Sequence, residues 1–182
     1  VGPNYLGQYN LTTFNEYNLL GQRVAMTDAL SHPTHYTYDV LGRVVQTQNA
    51  LGGTTETGYD SLGRRSVVTD ALQHTTVYAY DAVGRLSQMQ DAGGNVTAYG
   101  YDVLGRTVVV TNPLGNATHI FYDFAGRVVS TTDALSGTTT TLYDALGRAL
   151  HTQDARGNWT DYQYDRLGRT VVVTDATGAL VG

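Results

Sequence analysis

Apolar and polar residues alternate along short stretches of this chain. Thr34, Tyr36 and Tyr38 stand two apart, as do Thr97, Tyr99 and Tyr101, then Thr118, Ile120 and Tyr122, and Thr160, Tyr162 and Tyr164. Alternation by two puts such residues on one face of an extended strand. The opposite face receives a mixed set: His35, Glu56, Val77, Ala98, His119, Thr140 and Asp161. Runs such as Val108–Thr111, Val128-Val129, Thr138–Thr141 and Val171–Thr174 supply the β-branched side chains that fit a pleated surface. No segment carries an apolar stripe at helical spacing, and Gly and Asp or Asn return too often for one. The pattern predicts an all-β chain.

The strands are punctuated with a fixed period. Tyr38-Asp39, Tyr59-Asp60, Tyr80-Asp81, Tyr101-Asp102, Tyr122-Asp123, Tyr143-Asp144 and Tyr164-Asp165 recur every 21 residues, and Tyr17-Asn18 opens the series. Three residues after each Asp comes Gly42, Gly63, Gly84, Gly105, Gly126, Gly147 or Gly168. Arg43, Arg64, Arg85, Arg106, Arg127, Arg148 and Arg169 follow them directly. A second column lies within each period: Asp28, Asn49, Asp70, Asp91, Asn112, Asp133, Asp154 and Asp175, with Gly or a small polar residue three positions on. Both signals read Asp/Asn-x-x-Gly, a type I turn whose first side chain accepts hydrogen bonds from the turn backbone and whose closing Gly takes φ > 0, as a G1-type bulge requires. Asn112-Pro113-Leu114-Gly115 adds Pro where its fixed φ fits.

Each period is therefore a strand, a tight turn, an antiparallel strand and a second tight turn, with strands of roughly 6 or 7 residues. About sixteen strands would make a flat sheet roughly 75 Å wide at ~4.8 Å per strand. Twisted open sheets rarely exceed ~10 strands without curling, so the sheet is expected to curl into a spiral shell or tube wall. Ladders of Tyr and Thr would cross it, each cross-strand pair stabilising by ~0.2–1 kcal/mol. In a repeat architecture, function belongs to the assembled surface.

Composition narrows the partners. The chain has 182 residues, a formal net charge of −5 and 15% charged residues; all 11 positive residues are Arg. The arginines are paced beside an Asp column and not clustered, which argues against nucleic acid. Without cysteine there is no disulfide or thiol chemistry, and no apolar run is long enough to span a membrane as a helix. Residues 17–182 are expected to form about eight tandem units, the last truncated at Gly182, with residues 1–16 a degenerate repeat or N-terminal cap. The unfinished last strand leaves an open sheet edge, so the sequence reads as a piece of a longer protein.

Tyr-Asp-x-Leu-Gly-Arg-Val-Val followed by Thr-x-Asp-Ala-x-Gly-Asn-x-Thr resembles the YD-repeat or rearrangement-hotspot (Rhs) family. Good copies are Tyr101–Arg106 and Asp91–Thr97, and the resemblance covers residues 17–182. It implies a spiralling β-sheet that wraps into a hollow shell. Bacterial polymorphic toxins and insecticidal toxin complexes use such a shell as a cocoon around a toxic C-terminal domain, and wall-associated bacterial proteins and teneurins share the repeat. The self-cleaving core segment that plugs many bacterial shells has no match here, so the resemblance carries over no catalytic residue. The unvarying period favours a continuous spiral, a fibre or a recently duplicated array over a capped, egg-shaped shell.

Each candidate site has a structural counterpart reading. Eight equivalent copies make the Tyr-Asp pair a turn element and not a catalytic acid with a phenol. The Asp and Asn columns lack the Gly-Gly-x-Gly-x-Asp spacing of calcium β-rolls, and turn capping accounts for them. Arg in this register closes ion pairs or packs along the sheet. Asn10, Asn95, Asn116 and Asn158 satisfy the N-glycosylation pattern, mostly as a by-product of the repeat. Trp159, the single Trp, could stack on a sugar or fill a groove between strands. His32, His35, His74, His119 and His151 show no metal or triad spacing.

The expected chain is a non-enzymatic, cofactor-free structural segment of a large secreted or surface-exposed bacterial protein, forming a protective shell, tube or filament wall for toxin encapsulation or delivery. The alternative is a surface adhesin or glycan-binding module. Expected partners are adjacent repeats or neighbouring subunits at open sheet edges, with enclosed cargo or a surface glycan beyond them.

Overall fold

The computed structural model describes residues 12–180. Sixteen strands form one antiparallel sheet whose spatial order is the chain order, from β1 (Phe14–Tyr17) and β2 (Arg23–Thr27) to β15 (Trp159–Tyr164) and β16 (Thr170–Thr174). No helix occurs among the described residues, so none is long and apolar enough to cross a membrane. The expectations for Asn10 and for residues 1–11 lie outside the described residues. At the other end, Leu180 makes an antiparallel bridge to Thr174, the start of the expected returning strand.

The described strands group into two compact units, one running up to residue 79 and taking in 89–95, the other made of residues 80–88 and those from 96 onward. The second shows the repeat most plainly. There β9 (Val96–Tyr101) has 6 residues and β10 (Thr107–Thr111) has 5, slightly shorter than expected. The reason is a bulge at each Tyr-Asp hairpin. Tyr101 faces Thr107 but Gly100 faces Val109, so Val108 is left over. The opposite hairpin is regular, with Val109 facing His119, Val110 facing Thr118 and Thr111 facing Ala117. The turn itself is the same at both hairpins, a type I conformation closed by a left-handed residue, so the Val108 bulge is an addition at the Tyr-Asp side.

Within the first unit the same register holds, and Ala25, opposite His35, is 4% exposed. It is the only buried apolar residue among those described. Along several strands the two faces differ, β3 (Pro33–Tyr38) among them. Thr34, Tyr36 and Tyr38 are half-buried against their neighbours, whereas His35 and Thr37 on the other face are exposed. Val77 and Ala79, or His119 and Phe121, repeat that exposure. The Tyr and Thr ladders thus shelter one face by packing side by side. On the other face, Gly58 opposes Val67 and Gly100 opposes Val109, where an added Cβ would overlap a valine Cγ1.

Candidate functional site

Because alternate hairpins lie at opposite ends of the strands, the two turn columns form two edges of the sheet. Along the Tyr-Asp edge, each turn is built the same way. Gly105 N–H donates to the Asp102 carbonyl (3.0 Å) and Asp102 N–H to the Arg106 carbonyl (3.0 Å). Asp102 Oδ1 accepts the N–H groups of Leu104 and Arg106, both at 2.9 Å, and Oδ2 accepts Arg106 Nε at 2.6 Å. The turn column glycines take positive φ, 82° at Gly105, where a Cβ would meet the carbonyl oxygen.

The arginine then reaches into the next repeat. Arg106 Cζ lies 4.6 Å from the ring centre of Tyr122, a cation–π distance. Its Nη1 donates to the Asp123 carbonyl at 3.2 Å. The Tyr122 hydroxyl donates back to the Thr107 carbonyl at 2.8 Å. Arg43 over Tyr59, Arg85 over Tyr101, Arg127 over Tyr143 and Arg148 over Tyr164 repeat the stacking at 4.3–4.6 Å. Tyr38, Tyr59, Tyr101, Tyr143 and Tyr164 repeat the hydroxyl-to-carbonyl bond across 15 residues. Arg64 pairs with Asp60 at 2.7 Å, and Arg169 with Asp165 at 2.7 Å. In the first copy Gln22 replaces the arginine, and Asn18 Nδ2 donates to Gln22 Oε1 at 2.7 Å.

The second edge is self-contained. Asp91 Oδ1 accepts the N–H groups of Gly93 and Asn95, and Oδ2 accepts the Asn95 side-chain amide. Asn158 meets Asp154 in the same way, while His32 and His74 stand 3.2 and 3.3 Å from Asp28 and Asp70. Every such bond stays within four residues. In this column Ser31, Gln73 and Ser136 adopt positive φ of 64–66° without being glycine.

Carboxylates on both edges are held below their ordinary range, Asp123 and Asp91 among them. For Asp123 the backbone N–H of Arg127 contributes most, opposed by partial burial and aided by the guanidinium. For Asp91 the Asn95 side-chain amide contributes most, followed by its backbone N–H. These are acceptors stabilised as anions, with the chemistry of caps; a general acid would need the reverse shift.

On the exposed sheet face, His151 Nδ1 hydrogen-bonds Asp161 Oδ1 across β14 (Ala149–Gln153) and β15, and Trp159 lies edge-on to His151 at 6.3 Å. Sequence reasoning placed these residues in separate columns. Only the hairpin register, which pairs 151 with 161, brings them together. No group of three or more His, Cys, Asp or Glu suited to a metal exists among the described residues. The arginine-to-tyrosine stacking was likewise missed, since it links positions 16 residues apart, although their constant separation was the available signal.

Both edges also carry apolar tips. Leu41, Leu62, Leu104, Phe124 and Leu146 on one, and Leu51, Leu72, Leu114 and Leu135 on the other, are each at least 73% exposed. Between consecutive tips lie shallow notches, such as one of about 270 Å³ lined by Leu104, Arg106, Tyr122, Asp123 and Phe124.

Similar architecture occurs in solved toxin-complex proteins. A crystal structure of TcdB2-TccC3-TEV superposes with a TM-score of 0.72 at 14% identity, covering 93% of this chain and 10% of that one. The Photorhabdus luminescens Tc holotoxin pore with a mutated TccC3 gives 0.58 at 15% identity, covering 96% and 12%. TcdB2-TccC3 without its hypervariable C-terminal region gives 0.60 at 15% identity, covering 92% and 12%. The chain thus spans about a tenth of the length of these solved chains. No curated protein matches it. The RHS Repeat profile matches residues 17–55, 59–96, 80–117, 122–158 and 143–180. With most of its length matched, this chain belongs to the RHS Repeat family.

Proposed function

We propose that this chain is a length of wall in a larger secreted or surface-exposed bacterial protein. Its sheet continues through further repeats into a shell, tube or filament that encloses or carries cargo, as in toxin encapsulation. Residues 17–182 form the repeat array and residues 1–16 a degenerate first unit or cap. The Tyr, Asp, Gly and Arg columns are structural, with no catalytic role and no cofactor. The observation that carries this reading is the arginine–tyrosine lacing, which ties each Tyr-Asp turn to the next repeat in a layer with almost no core of its own. A domain stabilised this way gains nothing from a compact interior and can extend by adding units.

Electron microscopy of this chain, extended by its flanking repeats, tests the proposal. A hollow or tubular particle with a wall one sheet thick is expected. A solid globule with no lumen would refute it. The adhesin reading draws on the His151, Trp159 and Asp161 grouping, where a planar ring stands beside hydrogen-bonding groups. Glycan binding lost on Trp159→Ala would favour it.

A further inference from the structure

We propose that copies of this chain dock edge to edge, with the Asp/Asn edge of one copy seated on the Tyr-Asp edge of another. This deepens the wall reading and rests on it only in that a wall of several courses needs a seam between them.

Pitch is the first argument. On either edge consecutive turns are two strands apart, about 9.6 Å at ~4.8 Å per strand. Both edges are generated by the same 21-residue period. A tip on one edge that fits a notch on the other is therefore followed by further fits, and the contact grows with each repeat. A stable interface buries ~800 Å² per partner, which consecutive repeats supply together and no single tip can.

Shape and polarity agree. Leu114 and Leu135 protrude from the Asp/Asn edge at 84% and 92% exposure. The notch between Leu104 and Phe124, about 270 Å³, has room for a leucine side chain and an apolar rim to receive it. Exposed apolar rows of this regularity mark protein contacts.

Charge selects the partner edge. Along the Tyr-Asp edge every Asp from Asp39 to Asp165 has its Arg, and Arg166 adds a further cation at a tip. The Asp/Asn edge carries six aspartates against Arg156 alone, a difference equal to the formal net charge of −5. Two such acidic edges repel one another, whereas an acidic edge faces the arginine-bearing edge without penalty. The contact is then heterologous, so it propagates instead of closing as a two-fold dimer.

Single-cysteine variants test the seam, because the chain has no cysteine of its own. Leu135→Cys and Phe124→Cys, one of them carrying a size tag, are mixed and oxidised. Both sites are exposed tips, so the fold is retained. The Leu135→Cys to Phe124→Cys disulfide is expected to form at least tenfold faster than either same-site disulfide. A same-site disulfide forming as fast, or all rates matching an exposed sheet-face control at His119→Cys, overturns the proposal. A hollow particle seen by microscopy alongside that failure would leave the wall reading standing and remove only the seam.

Discussion

The two edges of this sheet use the same turn and solve different problems. At the Tyr-Asp edge the turn is a link: Arg106 caps its own turn through Asp102, then stacks on Tyr122 and bonds the next turn's carbonyl. At the Asp/Asn edge each turn closes on itself, with the Asp91 carboxylate bonded to Gly93 and Asn95 of its own turn. A link constrains both partners, so its column admits little change. A self-contained cap admits Asn for Asp, and Ser31, Gln73 or Ser136 for Gly. The unvarying 21-residue period follows from the linked edge, whose bonds each require a fixed offset between repeats.

Insertion should separate the edges most. Two glycines placed after Leu135 lengthen a solvent-exposed cap while leaving strand pairing intact, and loop-closure entropy changes by well under about 1 kcal/mol. The same insertion after Leu104 displaces Arg106 from Tyr122 and from the Asp123 carbonyl. With net hydrogen-bond contributions of ~0.5–1.5 kcal/mol each and a cation–π contact of ~0.5–1, it should cost about 2 kcal/mol more than its counterpart. Urea unfolding of the two variants measures the gap; equal midpoints would break the distinction.

Substitution at the closing glycine should come next. Gly115→Val meets no neighbour within 4 Å but still forces a β-branched residue to φ near 82°, a penalty of about 1–2 kcal/mol. At Gly147 the Cβ itself would sit 3.4 Å from Arg127 Nη1, and the valine γ carbons would press on that guanidinium. Gly147→Val should therefore destabilise more than Gly115→Val, in thermal melts read side by side. Conversely, Ser136→Gly should stabilise by up to about 1 kcal/mol by relieving a left-handed serine.

The glycine column also shows what was legible beforehand. Asp-x-x-Gly at a constant interval sufficed for turn type, strand count and antiparallel order, because those depend on local chemistry and period alone. The bulge at the closing glycine was legible in Asp-x-x-Gly, and both turns make its hydrogen bonds; the further bulge at Val108 was not, since Thr107 and Val108 look alike as strand residues and only pairing reveals which is left over. Arg106 was expected to close an ion pair, and it does. Its reach to Tyr122 depends on the spacing of hairpins in three dimensions. His151 and Asp161 met for the same reason: register places them opposite each other, while nothing in their own neighbourhoods announces it.

Coupling between repeats can be measured directly. In a double-mutant cycle, Arg106→Ala and Tyr122→Leu should show a coupling energy of ~0.5–1 kcal/mol. Arg106→Ala combined with Tyr164→Leu, two repeats away, should be additive. Coupling of equal size in both cycles would mean that the sheet, and not the stacked pair, transmits the effect.

The smallest expected contrast is in acid. Asp123 and Asp91 both titrate below the ordinary carboxylate range when folded, so each favours the folded state fully above the unfolded value. That contribution is withdrawn as pH falls through the ordinary value towards the lowered one, because protonation removes the acceptor that holds the turn. Asn already occupies the Asp/Asn column at Asn49 and Asn112, where its Oδ1 accepts the same backbone N–H groups. With Asn95 turned so that its Oδ1 accepts from the new side-chain amide, as Gln22 Oε1 does from Asn18, Asp91→Asn should leave neutral-pH stability almost unchanged and reduce the acid sensitivity. Asp123→Asn keeps a backbone acceptor but gives up the charge that holds Arg127, whose Nε lies 2.6 Å from Oδ2, and with it the pose of that arginine over Tyr143. Its loss should be present already at pH 7 and shrink towards pH 3, as the parent's own Asp123 becomes protonated. Thermal midpoints of the parent and both variants across that range provide the test, and an Asp123→Asn difference that stays constant with pH would show that the charge of Asp123 is not what holds the arginine.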